Sequence, residues 1–100
     1  MMVKLVAIYR KPEDVEAFDK HYFEVHAPLA EKMPGLIKME VSKIVGSPAG
    51  ESDLHLMAEM YFESKEAMME ALSSPEGRAS GKDLRGFAGQ VVSMHFAEVV

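Results

Sequence analysis

Residues 3–9 read VKLVAIY, a short apolar run rich in β-branched side chains, and Arg10-Lys11-Pro12 stops it. This pattern predicts a buried first strand that leads into a helix. Pro12 suits a first-turn position, and Glu13 and Asp14 suit the positive end of that helix. Apolar residues then recur at Val15, Phe18, Tyr22, Val25 and Leu29, spaced 3, 4, 3 and 4. One stripe of the helix is expected to face a sheet, and Pro34-Gly35 to end it.

Residues 36–46 place Ile37, Met39, Val41 and Val45 on one parity and Lys38, Glu40 and Ser42 on the other, as a half-covered second strand does. The turn-rich segment 47–53 reads as a hairpin loop. Residues 54–63 form an expected third strand, after which Ser64 caps a helix with Ala67, Met68, Ala71 and Leu72 on its apolar face. Residues 75–86 suggest a short extra helical turn and loop, and residues 90–99 a fourth strand. The order βαββαβ predicts a single α+β domain over residues 1–100. Its fold is ferredoxin-like, a four-stranded antiparallel sheet with both helices on one side. Yet several strands are apolar on both parities, for example Val6 and Ile8 beside Leu5 and Ala7. Two helices cover only one face, so the other is expected to meet a second copy, closing two sheets into a dimeric α/β barrel about a two-fold axis.

Composition narrows the partners. The 100 residues are 48% hydrophobic and 27% charged, which is globular composition. Sixteen acidic against eleven basic residues leave a net charge of −5 with no basic cluster, which argues against nucleic acid. No apolar run approaches the roughly 20 residues a membrane span needs, and the start does not read as a signal peptide, so a cytoplasmic protein is expected. With no cysteine, chemistry falls to His, Tyr, Ser, Asp and Glu.

The segment His21-Tyr22-Phe23-Glu24-Val25-His26-Ala27-Pro28-Leu29 puts two imidazoles, two aromatic rings and a proline in one amphipathic helix. At 100° per residue His26 lies about 70° from the centre of the apolar stripe, at its edge. Pro28 removes the amide that would bond the Glu24 carbonyl, so a kink is expected beside His26. A histidine there suits proton transfer near neutral pH. The plainer reading is a ring packed on the sheet with its nitrogen bonded to a carbonyl. His21 falls about 140° from His26, which excludes joint chelation from this helix, so no metal is expected and His21 is assigned to the surface or an interface. His55 shares its parity with Met57 and Tyr61 near a rim, while His95 and Ser93 share a parity whose face remains open. The nine methionines suit an adaptable apolar cavity or ordinary core. Tyr9, Tyr61 and Phe87 are read as an aromatic wall or as packing.

Tyr9 and Pro12, Phe18, Tyr22, His26-Ala27-Pro28-Leu29, Pro34-Gly35-Leu36, Phe62 with Ser64-Lys65-Glu66-Ala67, Ser74-Pro75-Glu76-Gly77, Asp83-Leu84 and Phe87 occur in an order and spacing that resembles the EthD family, named after a component of ether-degrading operons. The resemblance implies a homodimeric barrel and marks His26 as the functional residue. Relatives in the superfamily resemble cofactor-independent oxygenases, lactone isomerases, polyketide cyclases and haem-degrading enzymes. The tryptophan that haem-degrading and anthrone-oxidising members use is missing here. The expected function is therefore binding of a small apolar, aromatic or polyketide-like molecule between the sheets, with oxygenase, cyclase or isomerase chemistry that needs no cofactor. His26 would act as acid or base and Tyr22 would orient it, with Tyr9, Phe23, Met57, Tyr61, Phe87 and His95 lining the site. The alternatives are a non-enzymatic accessory protein serving a partner oxygenase, and a purely assembly role with the cavity filled by side chains.

Overall fold

The opening apolar run becomes the strand on which the molecule is built. In a computed structural model describing Met1–Val100, β1 (Val3–Arg10) pairs antiparallel with both β3 (Leu54–Phe62) and β4 (Val92–Glu98). Strand β2 (Lys38–Lys43) pairs with the far side of β3, giving the order β2-β3-β1-β4 of a ferredoxin-like sheet. Being central, β1 has both its edges satisfied by hydrogen bonds, which is why an almost wholly apolar run is stable there.

Paired residues share a face. Val3, Leu5, Ala7 and Tyr9 stand opposite Phe62, Met60, Ala58 and Leu56, and all eight are buried under the helices. The other face carries Lys4, Val6 and Ile8 opposite Tyr61, Glu59 and Met57, with Ser93 and His95 of β4 alongside. It is the open face expected from the double parity, though more polar, since Lys4 and Glu59 form an ion pair at 2.6 Å.

The helical layer comprises α1 (Val15–His21), a π-helical turn (Tyr22–His26), α2 (Ala27–Glu31), α3 (Lys65–Ser73) and α4 (Pro75–Ala88). Asp14, not the region of Pro12, opens α1: its carboxylate accepts from the Ala17 amide at 3.0 Å. Ser64 caps α3 as expected, accepting from the Ala67 amide, with Met68 and Ala71 buried.

Three expectations are corrected. Residues 75–86 are part of α4, the longest helix, with Ser74 as N-cap and Pro75 in its first turn. Its glycines hide the helix from propensity, but Gly77 is required by packing, because a Cβ there would lie 2.1 Å from the Ala71 carbonyl oxygen. Strand β2 is shorter than its pattern, leaving Ile37 and Val45 exposed. Finally, His55 leaves the face of Met57 and Tyr61. The register breaks so that Tyr9 pairs with Leu56 and Arg10 with Leu54, and the extra residue turns inward. There His55 packs edge-on against Phe18 and meets Asp19 at 2.7 Å.

Candidate functional site

The site begins with how the first helical segment is wound. The Ala27 amide donates to the Tyr22 carbonyl, five residues back, and Pro28 has no amide to offer the next carbonyl. Widening this turn changes which side chains face the sheet. Beyond Tyr22 the buried positions are His26, Ala27, Ala30 and Met33, while Val25 is 41% exposed. The periodic reading put Val25 and Leu29 on the stripe and His26 at its edge. The π turn advances the stripe by one position, and His26 moves into the core.

There its ring meets a carboxylate from the other end of the chain. The Nδ1 of His26 lies 3.0 Å from Oδ2 of Asp83 on α4. A carboxylate only accepts, so Nδ1 carries the proton and Nε2 is the basic nitrogen. Asp83 also receives a hydrogen bond from Nε2 of His21, at 2.9 Å to Oδ1. His21 is therefore not a detached surface residue but a second donor to the same group. The Phe87 ring lies 4.4 Å from the His21 ring and 5.2 Å from that of His26, roofing the pair.

On its other side His26 borders a cavity of about 50 Å³ between sheet and helices. Its walls are Leu5, Ala7 and Met60 from the sheet, Met33 and Leu72, Gly77, Gly81 and Leu84 of α4, and Met94 of β4. Polar groups come from His26, Tyr9 and Ser80. No buried side-chain nitrogen or oxygen is sealed off without a partner, so the Nε2 left unbonded by Asp83 faces open space. An apolar pocket with a few converging polar groups is the usual form of a small-molecule site. It is smaller than the roughly 150 Å³ cavity that admits benzene. A flat aromatic ligand therefore needs Met33, Met60 or Met94 to swing aside, which unbranched thioether side chains do readily.

Burial lowers the proton affinity of His26, outweighing the hydrogen bond and charge of Asp83, which raise it. The imidazole is thus neutral at pH 7. Burial raises the Tyr9 phenol far above its ordinary range, with Tyr22 and Asp83 adding to the effect. Tyr22 is pushed up to about 12, again by burial first and then by Glu31. Both phenols stay protonated, as hydrogen-bond donors.

The residues expected to line one site divide between two faces of the sheet. His26, Tyr22, Tyr9 and Phe87 lie on the helical side, joined by ring contacts of 5.2–6.5 Å. Met57, Tyr61 and His95 lie on the open face, where His95 is exposed and bonded only to Ser93 at 3.3 Å. A cavity between two sheets therefore does not contain His26, because β1 and β3 stand between them. Phe23 is 53% exposed, its edge against Tyr22, and does not reach the cavity. Tyr22 is buried against His26 but only behind it. Asp83 and Ser80 were missed as functional groups: Asp83 is 57 residues from His26 along the chain, so only the fold joins them.

Comparison with known proteins agrees with this architecture. Residues 10–90 match the family model of the EthD domain. An uncharacterised 11.0 kDa protein of Rhodococcus erythropolis, from the thcB-thcC intergenic region, is 32% identical over 97 residues, 97% of this chain and 94% of the other. The crystal structure of an ethyl tert-butyl ether d (EthD) family protein from Bacillus halodurans shares 52% identity over the whole of both chains, with a TM-score of 0.97. Two remoter structures share the fold alone. One is a dimeric ferredoxin-like protein of unknown function from Bacteroides fragilis (18% identity, TM-score 0.69, 98% of this chain and 96% of that one). The other is SnoaB, a cofactor-independent oxygenase from Streptomyces nogalater (15%, 0.68, 98% and 92%). With its ferredoxin-like sheet and these matches across nearly its whole length, the chain belongs to the EthD domain family.

Proposed function

We propose that the protein binds a small, mostly apolar molecule in the cavity between its own sheet and helices, and that His26 removes an acidic proton from it. The carrying observation is the setting of His26: Nδ1–H is held by Asp83, Nε2 has no hydrogen-bond partner, and the residue lines the cavity. A neutral imidazole in an apolar pocket is a competent base near neutral pH, and a positioned group of this kind contributes about 10²–10⁴-fold. Tyr9, a neutral phenol lining the same cavity, is the proposed donor to the oxygen on which charge develops. The chemistry asked of these residues is proton transfer alone, which is the opening step of isomerisation, cyclisation or cofactor-independent oxygenation. SnoaB, a cofactor-independent oxygenase with this fold, supports the reading as an analogy of fold.

The open sheet face, with Val6, Ile8, Met57 and Tyr61 half-buried, is proposed as the contact with a second copy. The dimeric Bacteroides fragilis protein of the same fold supports this.

Nitroethane tests the base: it is a carbon acid of five heavy atoms whose methylene protons exchange into D2O, which proton NMR follows. The wild-type protein is expected to exceed an equal concentration of free imidazole. His26→Gln, which retains a donor for Asp83 but has no basic nitrogen, is expected to lose about 10²–10⁴-fold while melting within a few degrees of wild type. Equal rates for wild type and a folded His26→Gln would leave a metabolite-holding accessory protein as the better reading.

A further inference from the structure

Outside the cavity, α1 and α4 enclose an open groove of about 630 Å³ lined by His21, Lys82, Asp83, Gly86 and Phe87 among others. The three hydrogen-bonded groups grade inward from it: the side chains of His21, Asp83 and His26 are 35%, 19% and 7% exposed. Both imidazoles donate to one carboxylate, His21 to Oδ1 at 2.9 Å and His26 to Oδ2 at 3.0 Å. The Phe87 ring packs against both imidazoles, and an apolar wall of this kind strengthens charge interactions beside it. A charge on one imidazole is thereby felt at the other through a shared partner.

We propose that His21 is a positioning residue that acts on His26 through Asp83 and sets the pH at which the cavity base becomes available. This rests on the reading of His26 as that base. The titratable groups facing His26 are Tyr9 from β1, Tyr22 from the π turn, Asp83 from α4 and, through it, His21 at the end of α1. The tyrosines are neutral throughout the relevant range, which leaves Asp83 and His21 as the charge-bearing partners of His26. A proton on His21, the more exposed of the two imidazoles, puts a positive charge directly beside the Asp83 carboxylate. That charge offsets the carboxylate and opposes a second proton on His26, in line with the lowering that His21 exerts on His26. His26 thus stays a free base to lower pH than it would beside Asp83 alone.

The test is a pH titration of the imidazole nitrogens by ¹H–¹⁵N NMR in the full chain. In His21→Gln, which still offers Asp83 a donor but never a charge, His26 is expected to titrate at higher pH than in wild type. Lys82→Gln, which removes a charge from the same groove without touching Asp83's hydrogen bonds, is expected to leave His26 where it was. In an Asp83→Asn background the effect of His21→Gln is expected to shrink at least two-fold. If Asp83→Asn does not fold, His21→Gln and Lys82→Gln decide. An unmoved His26 in His21→Gln, or an equal movement in Lys82→Gln, overturns the proposal. The nitroethane assay separates the two readings. A shifted titration without exchange activity sinks the base and leaves the coupling. Activity that depends on His26 with an unmoved titration does the reverse.

Discussion

At the scale of single residues, His26 combines burial with a carboxylate partner, and the two oppose one another. Burial wins, so the imidazole is less ready to take a proton folded than unfolded. The sign for stability follows: the unfolded chain binds the proton first as pH falls, so folding loses stability from about 6.5 downward, through the lower folded value. Urea unfolding between pH 7.5 and 5 is expected to show this loss in wild type and less of it in His26→Gln. The phenols behave in mirror image. Tyr9 and Tyr22 resist ionisation when folded, so stability falls as pH rises above about 10, and Tyr22→Phe is expected to flatten part of that limb in thermal melts. Asp83→Asn has a distinct signature: the amide lacks the charge that favours the proper tautomer, so nitroethane exchange is expected to drop at least ten-fold at every pH, while Lys82→Gln leaves it unchanged.

At the scale of elements, α4 shows how packing overrides composition. Gly77 sits where α4 leaves Ser74 and presses on the end of α3, with the Ala71 carbonyl where a side chain would be. Gly77→Ala is expected to cost at least about 1–3 kcal/mol in urea unfolding. Gly86, in the same helix, has open space around it, and Gly86→Ala is expected to stabilise by about 0.5–1 kcal/mol. The two glycines look alike along the chain and differ only in what stands next to them. The same limit applies to the first helical segment. Phe18, Tyr22 and the cap-and-proline grammar around them are local and legible, but a projection at a fixed 100° per residue misplaces everything beyond a π turn. The sequence singles out His26 as a candidate, but what surrounds it follows only from the fold. Likewise His55 obeyed strand alternation until a one-residue bulge turned it inward.

At the scale of the whole molecule, the sheet separates two tasks. The helical face holds the cavity and the proposed base His26, and the open face holds Val6, Ile8, Met57 and Tyr61, the proposed contact with a second copy. Because β1 and β3 lie between them, damage to one is expected to spare the other. Ile8→Glu places a charge at the centre of the proposed contact. It is expected to shift sedimentation from dimer towards monomer while nitroethane exchange per chain stays within about two-fold; a wild-type chain that sediments as a monomer would remove that contact.

The order βαββαβ, the strand parities, the Ser64 cap and the family were all readable along the chain, because each depends on neighbours within a few residues or on a pattern that survives any packing. The face on which each histidine lies, the helical nature of residues 75–88 and the union of His21, Asp83 and His26 were decided by tertiary structure. The physical reason is the same in each case. A π turn, a bulge and a close helix crossing are local departures stabilised by distant contacts, and a hydrogen bond over 57 residues has no signature in the segments that make it.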